Sequence, residues 1–301
     1  MPSVYQADLT LVKDFLYELI ARHATASGLA WLDNVLVQIS KQQTNKTFYL
    51  AFGMASRQIG KNQLELTEQE VETANNLRPG FHPKGWSVLK TSRVLLMLSL
   101  PHDRPSEYHS LLNTLFSTAD VHELEAMYAS LPLLPYPEEF RARCAEGIRT
   151  NMRNVLDTIV LDNPYPADYL EEDAWNQMVL KAVFNGLPLI RIEGFDQRRN
   201  AHLARMLSDY AHERWAAGRD LTPELWRAVS PFLDESLIKD IEKLFANSNR
   251  LQQAAAALVC AESEWSTAKK LLNSHPHLQA MISNGELNWQ TISSEQLTIN
   301  N

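Results

Sequence analysis

Cysteine is nearly absent, with Cys144 and Cys260 the only two in 301 residues. Two thiols so far apart, without paired-ligand spacing, exclude a disulfide framework and a structural zinc site. Each sits inside an apolar helical pattern that fits a reduced, buried thiol in the cytoplasm. Glycine is scarce as well, at ten residues, too few for the tight hairpins that sheets collect. The longest apolar run, residues 94–100, is interrupted by Ser99 and is far too short to span a bilayer, so no stable membrane insertion is expected. Positive charge is in deficit: 28 Lys and Arg against 36 Asp and Glu leave a net charge of −8. Nucleic acids and anionic membranes both require basic surfaces, so neither is an expected partner. The first residues lack a basic start followed by an apolar segment, so no secretion signal is read and a cytoplasmic protein is expected.

The signatures of common chemistries are missing too. There is no P-loop, no dinucleotide glycine motif and no nucleophile elbow, and the nine histidines form no His-Glu-x-x-His or other metal-ligand spacing. No metal and no cofactor is therefore expected. Asp168, Glu171, Glu172 and Asp173 form an acidic cluster, but they precede the Trp175 helix, where the helix dipole favours carboxylates, and they lack the aspartate-rich spacing of prenyl-diphosphate enzymes.

What remains is a helical chain, 45% hydrophobic and 21% charged. Leu9, Val12, Leu16, Leu19 and Ile20 recur at helical spacing, and residues 29–39 continue likewise. Thr67 with Glu70, and Asp120 with Glu123, have the spacing of capping boxes. Residues 86–100 predict a strongly apolar, central helix that stops at Pro101. Phe140, Cys144, Ile148, Met152, Val155 and Ile159 form one stripe, predicting a helix of roughly 22 residues. A second long helix is expected over 196–218, and Thr222-Pro223 has the form of another helix start. Residues 187–195 read as a loop or an isolated strand. Helices joined by short, Pro-marked loops predict an all-α fold of stacked antiparallel hairpins, a solenoid of the HEAT or armadillo sort or a compact bundle. The partition expected is a helical region over 1–80, a helical body over 81–283 and a loose polar tail over 284–301.

Residues 138–230 have an unusual polar inventory. Eleven of their twelve basic residues are Arg, Lys181 being the exception, and fifteen Asp and Glu share the segment. Arg presents a planar fork that fixes carboxylate or phosphate geometry, so this preference points to interior pairing or a bound anion.

Several strings in this segment resemble the EboA family: Ala145-Glu146-Gly147-Ile148-Arg149-Thr150-Asn151-Met152, Asn163-Pro164-Tyr165-Pro166-Ala167, the run from Ala174 to Phe184, Arg199-Asn200, and the run from Asp209 to Arg219. The resemblance implies a bacterial gene-cluster set that includes a prenyltransferase-like protein, a sugar-phosphate-cyclase-like protein and metal-dependent TIM-barrel proteins. That set is associated with trafficking or maturation of secondary metabolites, among them the precursor of a cyanobacterial sunscreen pigment. The resemblance implies no catalytic residues.

The candidate ligand-binding residues are Glu146, Arg149, Asn151, Asn176, Lys181, Arg198, His202, Arg205, Asp209 and His212. Arg198, His202, Arg205, Asp209 and His212 share one helical stripe. It reads either as a solvated face with ion pairs such as Arg205 with Asp209, or as the wall of a cleft for an anionic or hydroxylated ligand. Glu146, Arg149 and Asn151 combine a carboxylate, a guanidinium and an amide suited to orienting a polar ligand. Lys181, alone among apolar residues, is a snorkelling lysine or a reactive amine. The leading expectation is a non-catalytic accessory protein of secondary-metabolite biosynthesis or trafficking. Its partners would be a small anionic or amphiphilic metabolite, proteins of the same gene cluster, or both. The alternatives are a cofactor-independent enzyme for a terpenoid- or sugar-derived intermediate, using Lys181, Glu146 and His212, and a pure protein scaffold.

Overall fold

The computed structural model describes residues 6–41 and 45–300, with side chains described through residue 294. Residues 1–5, which carry part of the leader reading, lie outside them. Among the described residues the chain is all α, as its periodicity predicts: helices and short 3-10 turns, no strand, and one isolated bridge between Gln63 and Ser87. No helix among them is long and apolar enough to cross a membrane. The chain divides into two compact units, Met1–Leu170 and Glu171–Asn301.

The first unit holds α1 (Leu9–His23), α2 (Ala26–Ser40), α3 (Asn45–Gln58), α4 (Glu68–Leu77), α5 (Val88–Leu98), α6 (Pro105–Thr118), α7 (Val121–Ser130), α8 (Arg141–Ile148), α9 (Arg153–Val160) and the short α10 (Tyr165–Tyr169). The central helix is α5, as its all-round apolar sequence predicts: every residue except Lys90 is buried, and it packs against α1, α3 and α7. Its one buried guanidinium, Arg93, lies over the Phe52 ring and reaches Glu123 at 3.2 Å. Both capping boxes form: the Thr67 side chain accepts from the Glu70 amide while Glu70 reaches back, and Asp120 and Glu123 do the same.

The 22-residue helix expected around Cys144 is in fact two, α8 and α9, broken at residues 149–152. The cause is local. The Thr150 hydroxyl accepts from the Met152 amide at 3.1 Å, offering the backbone a bond that competes with the helical one. Met152 turns outward and is 41% exposed, whereas Phe140, Cys144, Ile148, Val155 and Ile159 stay buried as the stripe predicts.

The second unit holds α11 (Glu172–Phe184), α12 (Ala201–Ala216), α13 (Leu237–Phe245), α14 (Arg250–Glu262), α15 (Ser266–Asn273), α16 (Pro276–Ser283) and α17 (Trp289–Asn300). Its centre is α14, where the consecutive buried alanines 254–257 let neighbours close in on several sides: α13, α15, α16, α17 and the 3-10 turn Pro223–Ala228 all pack on it. The helix expected over 196–218 starts late. Asp196–Arg198 is a 3-10 turn, and Asn200 then caps α12 by accepting from the Leu203 amide at 2.8 Å, the role for which Asn is favoured. Residues 187–195 form a loop with the 3-10 turn Leu189–Arg191. The stretch read as a loose polar tail contains α17, because Trp289 and Ile292, three positions apart on one face, are 8% and 1% exposed.

Candidate functional site

Of the residues selected from the sequence, Glu146, Arg149 and Asn151 belong to the first unit. Glu146 accepts from Arg143 at 2.8 Å, and Arg143 in turn donates to the Asn113 side chain at 2.6 Å and lies over Phe116. Arg149 and Asn151 are exposed, at the end of α8 and in the break after it. The other seven belong to the second unit. Lys181 is half-buried, and desolvation lowers its pKa. Asn176 is fully buried and exchanges hydrogen bonds with Asn200, at 2.8 and 3.2 Å. Arg198 lies over the Trp175 ring, 5.1 Å from its centroid, a cation–π contact.

The expected stripe of five is reduced to four, because Arg198 precedes α12. His202, Arg205, Asp209 and His212 are all exposed residues of that helix. Arg205 pairs with Asp234 at 2.7 Å, across the unit, and not with Asp209 as its spacing suggests. His212 pairs with Asp240 of α13 at 2.6 Å.

Asp240 organises a cluster that the sequence did not signal. One of its oxygens accepts from Ser208 and the other meets His212 Nε2, both at 2.6 Å. Ser208 and His212 are one turn apart on α12, but Asp240 is distant in sequence. A serine, a histidine and an aspartate are thus together in the wrong order for nucleophile activation, which places the base between serine and acid. Here the carboxylate is in the middle and fixes the other two. Beside it, Trp215 stacks on the buried Trp226, with centroids 5.6 Å apart, and Lys243 sits 3.8 Å above the Trp215 ring.

Two of the eleven arginines of this segment, Arg199 and Arg227, form a part-buried paired cluster, whereas Arg141, Arg149, Arg153, Arg191, Arg205 and Arg219 are exposed. Asp196 accepts from Arg227 at 2.5 Å and lies 3.6 Å from Arg199. Arg199 also donates to the Arg227 carbonyl at 2.9 Å, to Ser230 at 3.1 Å and to Glu262 at 3.2 Å. Glu224, a nearly buried carboxyl of the same 3-10 turn as Arg227, accepts from the Leu189 amide at 2.9 Å, and burial pushes its pKa up.

Among the described residues, one cavity lies in the first unit and another in the second, and none of the ten selected residues lines either of these. In the first unit about 550 Å³ opens between the start of α3 and α6. Its buried lining includes Ile39, Phe48 and Leu100, and its exposed lining Asp103, Arg104 and Glu107. Arg104 and Glu107 pair at 2.9 Å. Tyr108 is part of the wall; its hydroxyl is sealed from solvent without a hydrogen-bond partner, and burial drives its pKa far up. In the second unit about 740 Å³ lies between α14, α16 and the start of α17, beside His275, which is laid flat on Phe245 at 3.9 Å. Sequence reading missed both cavities because their linings come from elements without a shared motif.

No curated protein and no solved structure matches the chain. A family model described as metabolite traffic protein EboA matches residues 12–230, which takes in the first-unit cavity and the Arg199–Arg227 cluster and stops short of α13 to α17. With more than two thirds of its length under that match, the chain belongs to the EboA family of metabolite traffic proteins.

Proposed function

We propose that this EboA-family chain is a non-catalytic accessory protein of secondary-metabolite biosynthesis or trafficking, and that it binds a small amphiphilic metabolite in the first-unit cavity. In this reading it works in the cytoplasm alongside other proteins of its gene cluster. One observation carries the proposal: within the family-matched segment there is a cavity of ligand size with an apolar interior and a polar, charged rim. About 550 Å³ falls inside the roughly 300–1,000 Å³ typical of small-molecule sites, which combine apolar walls with a few orienting polar groups. The rim has two carboxylates, Asp103 and Glu107, against one guanidinium, Arg104. That balance favours a neutral amphiphile over an anion, since an added negative charge meets a net negative opening.

The test is thermal melting with geraniol, geranyl phosphate, 2-naphthol and glucose 6-phosphate, on the unmodified chain and on Ser106→Trp and Ser110→Trp. Both serines are exposed residues of α6 that line the cavity, so the indoles fill it with little cost to the core. The neutral amphiphiles are expected to raise the melting temperature saturably, by several degrees at about 100 times Kd, and to lose the effect in both variants. Shifts that persist unchanged in the filled variants would remove the cavity from consideration.

A further inference from the structure

Glu262 is the last residue of α14, the end of a helix where the macrodipole disfavours a carboxylate. Three donors from three separate elements hold it there. Arg199 donates to Oε2 at 3.2 Å, the Ser230 hydroxyl to the same oxygen at 2.6 Å, and the Trp289 indole N–H to Oε1 at 2.5 Å. Ser230 is fully buried and Trp289 8% exposed, while the Arg199 and Glu262 side chains are 17% and 36% exposed, so the carboxylate reaches a part-buried set of donors from the solvent side. Around it the charges balance: Arg199 and Arg227 face Asp196 and Glu262. Arg199 and Ser230 lie inside the family-matched segment, and Glu262 and Trp289 lie outside it. The segment that defines the family thus supplies a guanidinium and a hydroxyl arranged for a carboxylate, and the carboxylate comes from elsewhere in the chain.

We infer that Arg199, Ser230 and Trp289 form a binding site for the carboxylate of a small organic acid, and that Glu262 fills it as an internal stand-in. Charge-assisted bonds to both oxygens fix the plane of the carboxylate, and the indole N–H and serine hydroxyl satisfy lone pairs that a single guanidinium leaves open. The site is separate from the first-unit cavity and does not depend on it. Its occupant is a small acid because the place taken by Glu262 is one side chain in size.

Glu262→Ala removes the atoms of one acetate ion, so acetate is the probe. Melting of the full-length variant is followed in 100 mM sodium acetate, sodium chloride or acetamide. Acetate is expected to raise the melting temperature of Glu262→Ala by about 3 °C, as a ligand at several times its Kd does, and to leave the unmodified chain level with its chloride control. Acetamide, a neutral isostere, is expected to have no effect, and adding Arg199→Lys to the variant is expected to remove the acetate response. If Glu262→Ala does not fold in buffer, the same three solutes are compared by its refolding yield from urea, with acetate alone expected to recover folded protein. An acetate response equal to that of chloride, equal in the unmodified chain, or retained after Arg199→Lys overturns the inference.

Discussion

Gly147 faces Tyr128 at a separation that admits no side chain. A β-carbon built on Gly147 would lie 2.5 Å from Tyr128 Cζ and 2.6 Å from Ile159 Cδ1. A glycine inside α8 weakens that helix in isolation, and its use here is to let α8 close on α7 and α9. Gly147→Ala should therefore destabilise the chain by about 1–3 kcal/mol, the usual cost of overpacking. The check is the urea midpoint. An unchanged or raised midpoint would mean that Tyr128 moves aside freely.

Asn200 does two things at once: it caps α12 and it satisfies the amide of the fully buried Asn176. Asn200→Ala should cost about 2–4 kcal/mol, combining a lost cap with a stranded buried amide. Adding Asn176→Leu, which removes the stranded group at similar volume, should recover about 1–2 kcal/mol of that loss. Equilibrium unfolding of the single and double variants separates the two contributions.

The Tyr108 hydroxyl is buried without a partner among the described residues, so the fold gains nothing from it and bears its desolvation. Tyr108→Phe should be neutral or should stabilise by about 1 kcal/mol, against the usual destabilising direction of core changes. A loss of more than about 1 kcal/mol in denaturant unfolding would show that the hydroxyl is satisfied in solution.

Acid stability has an identifiable contributor in Glu70. The Arg22 guanidinium, 2.6 Å away, with the amide and hydroxyl of Thr67, holds the Glu70 carboxyl at about 2, against an ordinary 4.5. A depressed carboxyl pKa contributes stability that is fully present above the unfolded value and is lost as pH falls through the folded one. Glu70→Gln should therefore be less stable than the unmodified chain by about 1 kcal/mol at neutral pH, the scale of one cap and one exposed pair. The gap should shrink below pH 4.5 and close near pH 2. A gap of constant size from pH 7 to pH 2 would rule out the ionised carboxylate as its source.

Local chemistry was legible from the sequence, and long-range pairing was not. The capping boxes at Thr67 and Asp120 and the all-round apolar α5 follow from spacing alone, because each involves residues within one or two turns. The break at Thr150 was missed although its cause is equally local, since a hydroxyl bond to Met152 competes with a strong apolar stripe and wins. The Arg preference was noted, but spacing paired Arg205 with Asp209, where the structure pairs it with Asp234. Arg199 lay within a quoted family string, yet its partner Glu262 comes from a helix far along the chain. Asp240 carries no sequence signal for the same reason: what makes it matter is the approach of α13 to α12. The α17 face was hidden by the polarity of its other residues, which outnumber Trp289 and Ile292.

Five of the seven tryptophans, at positions 175, 215, 226, 265 and 289, fall in the second unit, and two of them, Trp215 and Trp226, stack at 5.6 Å and 20°. Indoles that close are near enough for their electronic transitions to couple, and a Lys243 ammonium lies against one face of the pair. Tryptophan emission excited at the long-wavelength edge, where the eight tyrosines of the first unit absorb little, therefore reports mainly on the second unit, and its melting can be followed without any label with Trp31 and Trp86 as the first unit's two contributors.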